Sequence, residues 1–198
     1  KRSKAVVTFD PITHAYYVDG KPRESVSHFI GRHKKPFPKE MIAEKTAKRD
    51  GRETEDILSE WDIKGRVSRE YGTAVHTAIE GYITYKMTPS IDHLKNIVEA
   101  FKEIQLVNPR SELVTYNDNL AGTIDIVDQY EKGKCDIYDL KTNGDLYKKG
   151  NKMLPPYDFL TDSPIDTYRL QLSLYADMME FHGWEVRDLI ILHIIGEI

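Results

Sequence analysis

Two aspartates and a lysine stand where strands should bury apolar side chains. Asp125 interrupts "TIDIV", and Asp139 and Lys141 close "DIYDLKT". Ile124, Ile126 and Val127 place Asp125 inside a strand, and carboxylates are rarely buried unless paired or metal-bound. Asp139 and Lys141 share a face because strand alternation has period two. A hairpin through "YEKGK" lets Asp125 and Asp139 approach one another. Two close carboxylates repel, so without a cation one of them keeps its proton. A divalent metal removes that penalty, and oxygen-rich ligation suits Mg2+ or Mn2+. Lys141 cannot ligate the ion, but it can stabilise an anion or orient a water beside it. The competing reading is a structural salt bridge between Lys141 and an aspartate.

Other residues share this chemistry. His76 and Glu80 lie four apart in "YGTAVHTAIEGY", hence on one helical face; the alternative is an ordinary histidine on an amphipathic helix. Gln171 and Tyr175 lie four apart in "RLQLSLYAD", on a stripe adjoining the apolar Leu170, Leu174 and Met178. Glu112 sits in the strand before Asp125, either as an outer-shell acid or as a solvated strand-end residue, and Glu80 has the same ambiguity. Lys148, Lys149 and Lys152 interleave with Tyr147 and Tyr157. That pattern holds a single nucleic-acid strand by charge and stacking, or else merely solvates a loop. Ser25, Ser27 and Arg32 are candidates for a terminal phosphate at a helix N-terminus.

The elements that must position these groups follow from pattern. "VVTFDPITHAYYVDGK" predicts a β-hairpin over residues 5–20. "ESVSHFIGRHKK" predicts a short helix with Ser25 as N-cap, broken by Pro36 and Pro38. A charged helical stretch follows, interrupted at Gly51. Val67, Tyr71, Val75, Ala78, Ile79, Tyr82 and Ile83 recur at helical spacing, and Ile91–Val107 repeats that period. "SELVTYNDNLAGTIDIVDQYEKGKCDIYDLKT" predicts three strands with turns at "NDN" and "EKGK". A long loop, "NGDLYKKGNKMLPPYDFLTDSP", leads to a helix that Ser163-Pro164 starts and Gly183 stops. "EVRDLIILHII" predicts a last, largely buried strand. The expected fold is α/β, a mixed central sheet flanked by helices with an N-terminal hairpin. It forms one domain over 1–198, with its core over 64–198 after the N-terminal hairpin.

Composition narrows the function classes. The 198 residues suffice for one real core. No apolar run approaches a membrane span, and no signal-peptide pattern opens the chain. The single cysteine, Cys135, excludes an internal disulfide framework and any four-cysteine zinc or iron–sulfur site, and it fits a reducing compartment. The formal charge of −4 does not advertise nucleic acid, so local basic clusters and metal ions must compensate. The chain opens on Lys1 and ends in strand-like "LIILHIIGEI", which predicts trimmed ends.

"TID…DLK" resembles the signature of the PD-(D/E)xK nuclease superfamily: an acid on one strand and acid-x-lysine on the next, with "ID" here for the prolyl "PD". "YGTAVHTAIEGY" resembles the G-x-x-x-H-x-x-x-E element of the RecB-like exonuclease branch, and "RLQLSLYAD" its Q-x-x-x-Y motif. The order of the four motifs also agrees, and "FDPITHAYYVDGKPRESVSHFI" resembles the opening of phage and organelle exonucleases in this group. With no four-cysteine set, the likeness is to the cluster-free phage or mitochondrial type. The resemblance implies a restriction-endonuclease-like core and a Mg2+- or Mn2+-dependent deoxyribonuclease, with no iron–sulfur cluster and no zinc. It implies an exonuclease acting on DNA ends or single strands in recombination, repair or replication. A site- or structure-specific endonuclease and an inactive nucleic-acid-binding module are the alternatives. By the same resemblance Asp125, Asp139, His76 and the Leu140 carbonyl hold metal, and Lys141 positions the water. Gln171 and Tyr175 contact DNA or support the catalytic residues. The expected partners are DNA and a recombination or replication protein, with no membrane. The expected compartment is the cytoplasm, an infected host cell or the mitochondrial matrix.

Overall fold

The computed structural model describes residues 5–195. The chain opens with a three-stranded meander: β1 (Val7–Asp10), β2 (Ala15–Val18) and β3 (Lys21–Ser25). The first turn is closed by Asp10, whose carboxylate accepts from the Ile12 N–H and the Thr13 hydroxyl. The second is the two-residue Asp19-Gly20 connection, both residues at positive φ, as a tight hairpin requires. β3 was not expected from "KPRES"; its Pro22 suits an edge or strand start, and pairing with its neighbours overrides the weak local propensity.

Next come α1 (Val26–Arg32), α2 (Lys39–Asp50), α3 (Thr54–Tyr85) and α4 (Asp92–Lys102). Ser25 caps α1 as predicted, accepting from the His28 N–H at 3.1 Å. A break follows Asp50, at Gly51. α3 runs 32 residues through Gly65 and so joins the charged stretch after Gly51 to the periodic residues from Val67. Its first turns pack Ile57, Leu58 and Trp61 against Ala43 and Ala47 of α2, and this contact carries the helix past the glycine. A single Gly inside a helix costs only about 1 kcal/mol.

The predicted three strands are β4 (Pro109–Tyr116), β5 (Leu120–Glu131) and β6 (Lys134–Lys141). Asn117 closes the "NDN" turn by accepting from the Asn119 and Leu120 N–H groups. The loop after β6 is ordered: buried Leu146 and Met153 anchor it, and Lys152 bridges to Thr161. α5 (Pro164–Phe181) starts at Ser163, which accepts from the Asp166 N–H, and β7 (Glu185–His193) ends the sheet. β7 is mostly exposed or half-buried rather than buried as expected, because it forms the edge and, among the described residues, pairs with β6 alone.

All seven strands make one mixed sheet, so the fold is α/β with helices on both faces. Its path is β1-β2-β3-β5-β6-β7, with β4 on the other edge of β5. α1 and α5 cover one face through Val26, Ile30, Leu172 and Met178 against Ile124, Val127 and Ile137. α3 and α4 cover the other through Val75, Ile79 and Phe101 against Ile126 and Leu140. Each such buried side chain contributes about 1.5–3 kcal/mol by leaving water. No helix among the described residues is long and apolar enough to cross a membrane.

Candidate metal centre

The sheet is forked at the predicted acids. One edge of β5 is paired with β4 from Ala121 to Asp128. The other edge is shared: β3 runs parallel to Leu120 and Ala121, and β6 runs antiparallel from Ile126 onward. Between these two partners lies the segment 122–125. At its end the Asp125 side chain replaces a ladder bond, accepting from the Leu140 N–H at 2.7 Å.

Strand alternation breaks at this point. Ile124 packs on the α5 face and Ile126 on the α3 face, although residues two apart should share a face. β4 does the same opposite: Leu113 packs on the α5 face, while Ser111 meets Thr84 of α3 at 3.0 Å. Glu112, between them, has φ 51°. A left-handed glutamate inside a strand is strained by roughly 1–3 kcal/mol and persists only where surroundings enforce it. The ladder places Glu112 across from Asp125, since Ser111 pairs with Ile126 and Leu113 with Ile124. The two irregularities turn both carboxylates toward α3.

There they meet His76. Its Nδ1 lies 3.6 Å from Asp125 and 4.0 Å from Glu112, and its Nε2 lies 3.2 Å from the Leu140 carbonyl. One donor atom from each of His76, Glu112 and Asp125 can be chosen so that all lie within 4.8 Å of one another. At 4.0 Å the Glu112 contact is between charges, not a hydrogen bond. Asp139 stands beside this group but is held by Lys141, whose ammonium is 2.7 Å from each carboxylate oxygen. Only Oδ1 receives the ammonium with hydrogen-bond geometry, so the buried Oδ2 lacks a donor. Lys141 also lies 4.5 Å over the Tyr168 ring of α5.

Burial sets the electrostatics. It pushes the Asp139 carboxyl up to about 6, against the pull of Lys141 and with the added repulsion of Asp125. It raises Asp125 too, although His76, Lys141 and the Leu140 N–H oppose it. Burial would lower His76, but Glu112 and Asp125 outweigh it and raise its basicity. The centre therefore holds unfavourable charge that a divalent cation would relieve. Two carboxylates and an imidazole nitrogen, from Glu112, Asp125 and His76, form a donor set that fits a hard divalent ion, while Asp139 stays outside that group.

Tyr175 is buried and accepts from the Gln171 amide at 3.3 Å. Burial and the charges of Asp125 and Asp139 hold its phenol protonated. Gly122 makes room for it: a Cβ there would stand 2.6 Å from the Tyr175 ring. Glu80 is half-buried and lines the adjoining cleft of about 740 Å3 with His76, Glu112 and Lys141. Ser68, Arg69, Thr73, Thr142, Tyr168 and His14 also line it; the sequence reading named none of these. Tyr168 had a signal, since it shares the α5 face of Gln171 and Tyr175 at spacings of three and four. Glu112, which the sequence offered as an outer-shell acid or a strand-end residue, is set opposite Asp125 by counting back from the "NDN" turn.

The remaining candidates lie outside this centre. Lys148, Lys149 and Lys152 are exposed on the ordered loop beside Tyr147, which is 76% exposed. Tyr157 is not free for stacking, because its ring packs on Phe29 and His33. Ser27 is exposed, Ser25 is committed as the α1 cap, and Arg32 is paired with Glu24 at 3.1 Å. Two of the three proposed phosphate residues, Ser25 and Arg32, thus have other partners.

No protein-family model, curated protein or solved structure matches this chain at a significant level.

Proposed function

We propose that this chain is a divalent-metal-dependent nuclease of the PD-(D/E)xK type, RecB-like branch, that hydrolyses phosphodiester bonds in DNA from ends or on single strands. The observation that supports this best is the convergence of His76, Glu112 and Asp125 beside the buried Asp139–Lys141 pair, at a fork where two strands leave regular alternation. Structural aspartates do not look like this. Asp128 and Asp136 are buried in the same two strands, yet Asp128 takes the Val107 and Asn108 N–H groups and Asp136 takes Arg187.

Asp125, Glu112 and His76 would hold the ion, with the Leu140 carbonyl and Asp139 Oδ2 adjacent. Carboxylates outnumber imidazole, which favours Mg2+ or Mn2+ over zinc. When bound, the ion neutralises phosphate charge and lowers the pKa of a water. Asp139 fixes the Lys141 ammonium, and Lys141 orients the attacking water and stabilises the developing charge. Tyr175 and Gln171 brace the acid pair from the α5 side. Tyr147 and the three loop lysines suit one unpaired strand by stacking and charge.

The test is hydrolysis of end-labelled linear and circular DNA, single- and double-stranded, with Mg2+ or Mn2+. Linear single strands should be degraded and circles spared. Asp125→Asn should lower the rate by on the order of a hundredfold or more. Cleavage of circles at the linear rate would reject end dependence, and full activity in Asp125→Asn would reject the nuclease reading.

A further inference from the structure

The cleft beside the metal centre has an acidic floor, and a polyanion entering it needs cations at its mouth. Lys141 is committed to Asp139. The other permanent cation lining the cleft is Arg69. It is exposed and has no carboxylate partner among the described residues, because the neighbouring Glu70 faces Arg66 at 4.0 Å. Arg69 lies seven residues before His76 on α3. Two helical turns return it to the same face, about 10 Å along the axis. Its guanidinium points further toward the helix start, over Gly65, where a Cβ would come within 3.3 Å of Nη1. Between Arg69 and His76, α3 closes on the end of β6: a Cβ on Gly72 would stand 3.2 Å from the Thr142 hydroxyl. The small or polar Ser68, Thr73 and Thr142 line the path between.

We propose that Arg69 is a phosphate-positioning residue that takes a backbone phosphate next to the one presented to His76, Glu112 and Asp125. This rests on the nuclease reading. Arg69 is too far from the metal group to act in bond cleavage, and its planar fork suits a phosphate held by two N–H groups. It registers the strand in the cleft, so its loss weakens binding more than chemistry.

The experiment compares the parent with Arg69→Gln and with Arg66→Gln, which makes the same charge change one turn earlier and outside the cleft. Binding of a fluorescent single-stranded oligonucleotide is followed by anisotropy in chelator, so this arm needs no turnover. Arg69→Gln should weaken binding about tenfold and lower the salt slope by about 0.7, the value for one phosphate on a single strand. Arg66→Gln should match the parent. In Mn2+, Arg69→Gln should raise KM with kcat within about twofold. A set of oligonucleotides, each with one neutral methylphosphonate linkage, locates the contact. One linkage near the cut should cost the parent about tenfold and cost Arg69→Gln nothing, because two losses at one contact do not add. Equal weakening by Arg66→Gln, a fall confined to kcat, or additive losses at every linkage each overturn the assignment. If Asp125→Asn is inactive while Arg69→Gln equals the parent, this inference fails alone. If Asp125→Asn is fully active, the nuclease reading fails whatever Arg69 does.

Discussion

The charge buried at the fork should make the metal-free protein less stable as pH rises. Asp139 titrates near 3.8 when solvated and at about 6 in the fold. Between these values the folded chain holds a proton that the unfolded chain has released. Stability tied to that proton is complete below the unfolded pKa and lost as pH passes the folded one. A shift of about two units corresponds to about 3 kcal/mol, or roughly 6–12 °C in Tm for a domain of this size. Asp125 and His76 are raised as well. Both act with the same sign, and His76 extends the fall above its ordinary value of 6.5. Manganese should reverse the trend, because it binds the ionised carboxylates and the neutral imidazole. At a hundred times Kd it adds about 2.7 kcal/mol, so at pH 8 it restores most of the loss, and at pH 5 it does little. The assay is a thermal melt from pH 4 to 9, in chelator and in Mn2+, for the parent and Asp125→Asn. Burial is the larger cause for Asp139, so Asp125→Asn keeps that part of the pH dependence but loses the metal-induced rise. A chelated Tm that does not fall between pH 4 and 7, or an equal Mn2+ rise in both proteins, refutes this reasoning.

His76→Ala should weaken Mn2+ binding by about 10–100-fold in calorimetry and shift the metal concentration needed for hydrolysis; a lower Tm with unchanged metal dependence would show a packing histidine. Lys141→Ala should cut hydrolysis on the order of a hundredfold while oligonucleotide binding changes far less, and equal losses in both assays would make Lys141 a binding residue only. Gly122→Ala should cost about 1–3 kcal/mol by overpacking, because the buried Tyr175 ring cannot retreat from a Cβ 2.6 Å away. Its Tm should fall and its activity with it; an unchanged melt would mean the α5 face yields more than its packing suggests.

Most elements were legible because their signals are local. Ser163-Pro164 before "IDTYRLQL" and Ser25 before "VSHFIGR" name helix starts through caps that need only neighbouring residues. The misreadings came from tertiary pairing. β3 exists because β2 and β5 pair with it. β7 reads as buried, yet sheet order leaves it at an edge, and order is not a property of one segment.

The site was legible in kind but not in partnership, and the reason lies in how an aspartate in a strand acquires meaning. Four aspartates occupy β5 and β6, at 125, 128, 136 and 139, and all look alike in a hydropathy pattern. Asp128 is satisfied by the amides that enter β4, and Asp136 by Arg187 from β7. Those partners lie 20 to 51 residues away, so composition cannot assign them. Asp125 and Asp139 differ because their surroundings raise the energy of their charges. The D-x-K spacing does place Lys141 on the face of Asp139, and there the structure puts an ion pair. It also brings Glu112 closer to His76 than a strand-end residue would come. Register explains that position: one carboxylate across the ladder from another is costly, and here a paired break in two strands turns both onto one histidine. A sheet built only for stability gains nothing from that arrangement. A strained glutamate, a donor-less buried oxygen and a raised histidine at one fork are what the proposed cation would account for together.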